Sequence, residues 1–264
     1  MQSAYEHGTV LAPDASTFAP AMRLLPDDVR ADAYRLYHVL RTLDDLVDED
    51  RPEAEQRVDA VERWASGELV HSPETRVLTD LSRRYPLSAR AVLDGCQALE
   101  HDLARTTIET EDDLERYCDR AAGSAAIMLT QLLGTIRADG ETKMATLGRA
   151  VQRTNILRDI DEDLAHGRVY IARTTIERFG PPTPGARAEL LRDQIARADA
   201  LYEDAADAVR LLSRGRSAVA LSAALYREIL RQIERDGYGS KPGRVAVPAW
   251  RKRLLIARHR LSAV

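Results

Sequence analysis

The chain has 264 residues, of which 44% are apolar and 30% charged, and its formal net charge is −4. This composition is that of an ordinary globular protein, long enough to bury a sizeable core. The net negative charge excludes the broad basic surface typical of nucleic-acid-binding proteins. Two cysteines, Cys96 and Cys118, are too few for a disulfide scaffold or a zinc site, so a reducing cytoplasm is the expected location.

The N-terminal sequence gives no indication of export or membrane insertion. It lacks the basic-then-apolar pattern of a secretory signal, so none is expected. No apolar run reaches the roughly 18 residues that a transmembrane helix needs. We therefore expect no transmembrane helix.

Helical periodicity runs through most of the chain. The first residues, up to about Asp14, lack it and are predicted to form a tail or cap. Pro26 with Asp27 and Asp28 marks a helix start, and apolar residues then recur every three or four positions to Val47. Further helices are predicted at about 52–67, 74–84, 87–105, 111–137, 141–165, 186–214, 217–236 and 248–261. Since no alternating strand pattern occurs, the sequence predicts an all-α helical bundle in a single domain, residues 1–264.

One predicted helical segment carries no charge at all. Residues 124–136 read SAAIMLTQLLGTI, which is too short to span a bilayer. The pattern alone favours a helix buried on all sides. It is also compatible with the wall of an apolar substrate cavity inside the bundle.

Two acidic segments are the strongest candidates for chemistry. Asp44 and Asp48 lie four residues apart on one predicted helix, and Asp159 and Asp163 do so on another. Side chains at this spacing share a helix face, where two carboxylates repel each other. A hard cation between them reverses the sign of that interaction, and Mg²⁺ prefers such oxygen ligands.

The neighbours in register with these acids are polar. They define a first acidic stripe (Tyr37, Arg41, Asp44 and Asp48) and a second acidic stripe (Gln152, Asn155, Asp159 and Asp163). Arg41 could bind a phosphate through two hydrogen bonds. The off-stripe Asp161 and Glu162 are predicted to be ordinary solvent-facing charges. Charge runs on helices are usually solvated surface, so spacing alone leaves both interpretations open.

Other motifs are weak. The six histidines are scattered, which makes a zinc cluster improbable. The glycine-rich segment 237–243 follows a helix rather than a strand, so it is no convincing dinucleotide-binding signature. Cys118 is predicted to be helix core rather than a nucleophile, because no histidine lies near it in the sequence.

Taken in order, the chain's motifs resemble the squalene/phytoene synthase family, the head-to-head trans-prenyl diphosphate synthases. The segments that carry the resemblance are Phe18 with 24–26, YHVLRTLDDLVDE at 37–49, YCDRAAG at 117–123 and QRTNILRDIDEDLAHGRVY at 152–170. The resemblance implies an isoprenoid-synthase-type helical bundle with a central apolar cavity. It also implies that the two acidic stripes face each other and hold Mg²⁺ against substrate diphosphates.

The resemblance also assigns roles to individual residues. Asp44, Asp48, Asp159 and Asp163 match the metal-binding and catalytic aspartates. The diphosphate-side and metal-side positions are matched by Tyr37, Arg41, Gln152, Asn155, Arg158 and Arg168. Phe18 and Tyr117 match positions along the prenyl chains, with Tyr117 among the catalytic residues, and Tyr226 matches a C-terminal tyrosine on the phosphate side. Two departures are Ala126, in place of a common glycine, and Arg153, in place of a usually apolar residue.

These features predict a prenyltransferase that couples two prenyl diphosphates, farnesyl or geranylgeranyl, head to head. The product would be of the squalene, phytoene or presqualene diphosphate type. The departure at Ala126 motivates an alternative, a terpene cyclase that ionises a single prenyl diphosphate. A third possibility is a helical scaffold without activity, against which the four aspartates argue. We also expect peripheral membrane contact, because substrate and product are oily. The sequence leaves NADPH use and oligomeric state open.

Overall fold

The computed structural model describes residues 17–262, with side chains up to residue 259, so the tail or cap predicted before Asp14 lies outside the described residues. The described chain is helical and contains no named strand, which confirms the predicted all-α fold. The helices are α1 (Ala19–Met22), α2 (Asp27–Asp48), α3 (Ala54–Ala65), α4 (Pro73–Ser82), α5 (Ala89–Leu103), α6 (Glu111–Cys118), α7 (Ser124–Leu133), α8 (Gly140–Ala165), α9 (Arg173–Phe179), α10 (Ala188–Asp204), α11 (Arg216–Arg235) and α12 (Ala249–Ser262).

Two long predicted helices are interrupted. The helix predicted over 111–137 is divided by a π-helical turn at Asp119–Gly123, and it ends at Leu133 because Gly134 adopts a positive φ of 73°. The helix predicted over 186–214 ends at Asp204, and a 3₁₀ turn follows at Ala208–Leu211. The short helices α1 and α9 were not predicted.

Helix α8 lies at the centre of the bundle and packs against α6, α7, α10 and α11. Its close approach to the π turn depends on a glycine. A Cβ atom at Gly148 would lie 2.3 Å from the carbonyl oxygen of Ala122 and 2.9 Å from the Cα of Gly123. Because Gly148 has no side chain, α8 can approach the π turn and the start of α7 this closely. The position of the second acidic stripe on α8 depends on that approach.

Helix α2 positions the first acidic stripe by burying its opposite face. Val39, Leu43 and Val47 are each at most 2% exposed and belong to a continuous apolar core that runs from Leu25 to Val247. Because burial of this face fixes the rotation of α2, the polar residues of the stripe are held along the other side. The single domain predicted over residues 1–264 is compatible with this core and stays a prediction.

Candidate active site

The first acidic stripe ends at the C-terminus of α2. The Arg41 guanidinium lies 2.8 Å from an oxygen of Asp44 and 2.5 Å from an oxygen of Asp45. Burial and the neighbouring charge of Asp48 raise the pKa of Asp44 to about 7, and Arg41 opposes that shift only in part. The negative end of the helix dipole lies here too, so the stripe favours an additional cation.

The second acidic stripe follows one face of α8. Arg158 binds the Asp159 carboxylate through two contacts, of 2.8 and 2.5 Å. One turn earlier, the Asn155 amide nitrogen lies 3.4 Å from Oε1 of Gln152. The Asn155 Oδ1 atom is buried and has no hydrogen-bond partner within the described residues. An unpaired buried acceptor costs free energy unless a ligand supplies its partner.

The fold brings the two stripes together. The Arg168 side chain, just beyond α8, contacts the Asp48 carboxylate and donates a hydrogen bond of 2.8 Å to the Val47 carbonyl on α2. Burial, followed by the charges of Asp159 and Asp48, raises the pKa of Asp163 to about 7. Asp48 therefore acts on an aspartate of the opposite stripe, although 115 residues separate the two in the chain. The C-terminal ends of the two stripes therefore lie close together, and the shared metal site that the family resemblance implies stays a prediction.

Aromatic residues among the predicted site residues belong to two separate groups. The Phe18 ring centroid is 4.7 Å from that of Tyr226 and 6.5 Å from that of Tyr37. Tyr226 is hydrogen-bonded to Arg158, and its burial raises its pKa to about 12. This contact places α11 beside Arg158, which binds Asp159 of the second stripe, and the phosphate-side role assigned to Tyr226 stays a prediction.

Tyr117 belongs to the second aromatic group, whose other members were not found by sequence reasoning. Its ring stacks on that of Tyr170 with centroids 5.2 Å apart. Both hydroxyls donate to Asp102 of α5, Tyr117 at 3.0 Å and Tyr170 at 2.9 Å. The Asp102 charge also contributes to the raised pKa of Asp44. Asp102 has no in-register acidic partner on α5, so nothing in its local sequence marked it.

Arg244 is a second residue that the sequence analysis missed. Its Nε atom lies 3.0 Å from an Asp159 oxygen, and its terminal nitrogen lies 3.4 Å from Glu162. The next residue, Val245, donates its backbone N–H to the Arg158 carbonyl at 3.2 Å. The glycine-rich segment after α11 is thus followed directly by an arginine of the site. No local motif indicated this role for Arg244.

A buried ion pair holds this segment in place. Arg187 is 2% exposed and binds both oxygens of Asp161, at 2.6 and 2.7 Å. The backbone N–H of Gly243 donates to the same carboxylate at 2.7 Å. These hydrogen bonds lower the pKa of Asp161. The prediction that Asp161 faces solvent is therefore wrong: it anchors the loop that presents Arg244.

Arg153 points away from the site into a second buried network. Its guanidinium is 3.0 Å from Glu111, 3.1 Å from Glu115 and 2.9 Å from Oε1 of Gln194. At this position, where the family usually has an apolar residue, Arg153 joins α6, α8 and α10. It leaves the polar face of α8 undisturbed.

The uncharged helix α7 packs against α2, α5 and α8. Even so, Ala125, Ala126, Ile127 and Leu129 are only half-buried, so the prediction of burial on all sides is wrong at these positions. A partly accessible apolar surface inside a bundle is what a cavity wall requires. The central cavity itself stays a prediction.

Both cysteines are free and buried. Burial raises the pKa of Cys118 to about 12 and that of Cys96 also to about 12. A thiol with such a pKa is almost fully protonated near neutral pH and is a poor nucleophile. This agrees with the prediction that Cys118 is helix core.

Sequence comparison groups this chain with one family of enzymes. The family model described as squalene/phytoene synthase matches residues 11–251. A phytoene synthase of Thermus thermophilus is 33% identical over 96% of this chain and 91% of its own length. A presqualene diphosphate synthase of Zymomonas mobilis is 30% identical over 90% of this chain and 86% of its own.

Comparison with solved structures indicates the same family. The crystal structure of a dehydrosqualene synthase in complex with ligand superposes with a TM-score of 0.84 at 28% identity, covering 97% of this chain and 94% of that one. None of these relatives supports the cyclase alternative, and the predicted class of enzyme, a prenyltransferase, is confirmed. The chain belongs to the squalene/phytoene synthase family.

Proposed function

We propose that this enzyme couples two prenyl diphosphates head to head, with the facing acidic stripes as its ionisation site. The observation that carries the proposal is the convergence of Asp48 and Asp163 from separate helices, with Arg168 between α2 and the end of α8. A solvated charge run would not be held against a second one at such electrostatic cost. Bringing the aspartates and an arginine together is favourable if the site binds a cation and an anionic substrate at the same time.

The donor set fits Mg²⁺, although no three acidic, histidine or cysteine side chains of residues 17–259 close around a metal by themselves. The ligands on offer are carboxylate and amide oxygens, which this ion prefers, and it leaves several positions for water and phosphate. Burial and then neighbouring carboxylates raise the pKa of both Asp44 and Asp163 to about 7, and the nearby arginines oppose these shifts only in part. We propose Asp44, Asp48, Asp159 and Asp163 as the residues that hold Mg²⁺. When bound, the ion would stabilise the negative charge of the departing diphosphate.

Arginines surround the same centre and supply the diphosphate contacts. Arg41, Arg158, Arg168 and Arg244 now neutralise the aspartates. In the proposed complex they turn to the phosphate oxygens, for which a guanidinium fork is well shaped. Asn155 and Gln152 complete the polar rim, with the unpaired Asn155 oxygen available to a ligand.

The chemistry separates charge across the site. The allylic C–O bond of one prenyl diphosphate breaks, and its electron pair leaves with the diphosphate. The double bond of the second substrate attacks the resulting carbocation and forms a new C–C bond, which moves the positive charge onto the second substrate. That cation would lose a proton to a basic oxygen, such as one on the released diphosphate, as a second C–C bond closes a cyclopropane ring. The apolar wall of α7 and the Tyr117–Tyr170 pair exclude water from the cation, and aromatic faces attract it.

Product analysis tests the proposal. Farnesyl and geranylgeranyl diphosphate are supplied separately with Mg²⁺, in detergent, and the extracted product is analysed by mass spectrometry. We expect a product with twice the carbon number of the substrate. A product of unchanged carbon number would mean cyclisation or simple ionisation, and no diphosphate release from either substrate would favour the inactive scaffold.

A further inference from the structure

The C-terminal helix α12 has an outward face that its own bundle does not cover. Its inward side chains Leu255 and Ile256 pack against Ala21 of α1 and against Leu221 and Leu225 of α11. On the outer side, Trp250 is 59% exposed and Leu254 is 50% exposed. Two of the few large, well-exposed apolar side chains among the described residues thus lie one helical turn apart.

The outer side chains form a narrow stripe with cations at its borders. Trp250, Leu254 and Ala257 follow at intervals of four and three residues, which places them on one helix face, and all three are exposed. Arg253 borders this stripe on one side and Arg258 on the other. Between residues 249 and 262 the sequence has five Lys or Arg and no Asp or Glu, although the whole chain carries −4. The basic charge is thus concentrated around an apolar face.

The position of α12 relates this face to the active site. Arg244, which contacts Asp159, precedes the first residue of α12 by five residues, so the two are at most about 18 Å apart. Arg251 attaches the start of the helix to Glu228 of α11 at 3.4 Å. On another turn of α11, Tyr226 contacts Arg158.

We propose that the outer face of α12 is a docking surface for an anionic lipid bilayer. Aromatic and aliphatic side chains enter the headgroup region, and the flanking arginines bind lipid phosphates. No helix among residues 17–262 is long and apolar enough to cross a membrane, and a surface of this kind needs none. The inference rests on the proposed function for its purpose, because oily substrates and product must be exchanged with a lipid phase.

Vesicle flotation tests the surface independently of catalysis. Vesicles of phosphatidylcholine, with and without phosphatidylglycerol, are mixed with the full chain at low and high salt. We expect flotation with the anionic vesicles that weakens as salt is raised. The variants Trp250→Ser/Leu254→Ser and Arg253→Glu should bind roughly tenfold more weakly. Two variants outside α12 are matched controls: Leu69→Ser removes an apolar side chain that is 90% exposed, and Arg210→Glu reverses a charge that is 85% exposed. Both should float like the wild type.

Tryptophan emission reports the contact directly. The chain has two tryptophans, and the other one, Trp64, is partly buried and donates a hydrogen bond of 2.8 Å to Thr79. In a Trp64→Phe variant the emission of Trp250 should shift to the blue when anionic vesicles are added. An unshifted emission, or α12 variants that float as well as the wild type, would overturn the proposal.

Two further measurements distinguish the other outcomes. If the wild type is a dimer without lipid and Trp250→Ser/Leu254→Ser makes it a monomer, the face binds a second copy and the proposal is wrong. The α12 variants should retain wild-type turnover on detergent-solubilised substrate. If the wild type itself shows no coupling activity, the proposed function is contradicted, but the flotation result still stands.

Discussion

Replacing Asp163 by asparagine should stabilise the metal-free protein while it destroys the site. The pKa of Asp163 is raised from 3.8 to about 7, first by burial and then by the charges of Asp159 and Asp48. A carboxyl group with a raised pKa in the folded state costs folding free energy as the pH rises. The cost develops between about pH 4, where the unfolded chain ionises, and about pH 7, where the folded protein does, and it is constant above that.

A shift of about three pKa units sets an upper limit of about 4 kcal/mol. Asp163 is only partly buried, so solvent screens part of this cost. We therefore expect Asp163→Asn to raise the free energy of unfolding by about 1–2 kcal/mol at pH 8. Near pH 4 the protonated aspartate and the asparagine are both neutral, and the difference should vanish.

Urea unfolding of the metal-free wild type and variant at pH 4, 6 and 8 measures this difference. Asp207→Asn is the matched control, because the Asp207 side chain is 74% exposed and is not among the charges that raise the pKa of Asp163, so the pH dependence of this variant should stay that of the wild type. Mg²⁺ should then stabilise the wild type by linkage and the Asp163 variant much less. An Asp163→Asn protein that is no more stable than the wild type at pH 8 would refute the idea that the aspartates repel each other.

Three further changes probe separate parts of the structure. Asp159→Asn should lower turnover by roughly 100-fold or more with the fold retained, and near-normal turnover would remove this residue from the site. Gly148→Ala should cost about 1–3 kcal/mol in urea unfolding, because its Cβ would lie 2.3 Å from the Ala122 carbonyl oxygen, and an unchanged midpoint would contradict that close approach. Arg153→Met should lower the free energy of unfolding by about 3–5 kcal/mol, because it leaves Glu111 without its buried cation. Adding Glu111→Gln should recover part of that loss, and no recovery would argue against the ion pair.

Local sequence patterns were enough to predict the fold class and the two acidic stripes. The spacing of Asp44 with Asp48 and of Asp159 with Asp163 defines a helix face before any coordinates are known. Helix bounds were predicted least well where the chain departs from regular geometry. The π turn at Asp119–Gly123 has no proline or break in periodicity to indicate it.

Contacts between distant segments were not visible in the sequence. Asp161 lies off the second stripe, and its partner Arg187 comes 26 residues later, so a solvent-facing charge was the simplest interpretation. Arg244 and Asp102 reach the site from a loop and from α5, and neither has a neighbour in register. Such residues become part of a site only through tertiary packing.

Metal binding by the assembled site is the most direct test of the claim that both stripes act together. Isothermal titration with Mn²⁺, in the presence of an unreactive prenyl thiodiphosphate, compares the wild type with Asp44→Asn and Asp159→Asn. We predict that either substitution removes most of the binding, because each stripe supplies part of one site. If either variant binds Mn²⁺ as tightly as the wild type, the two stripes do not form a joint site and the central claim is contradicted.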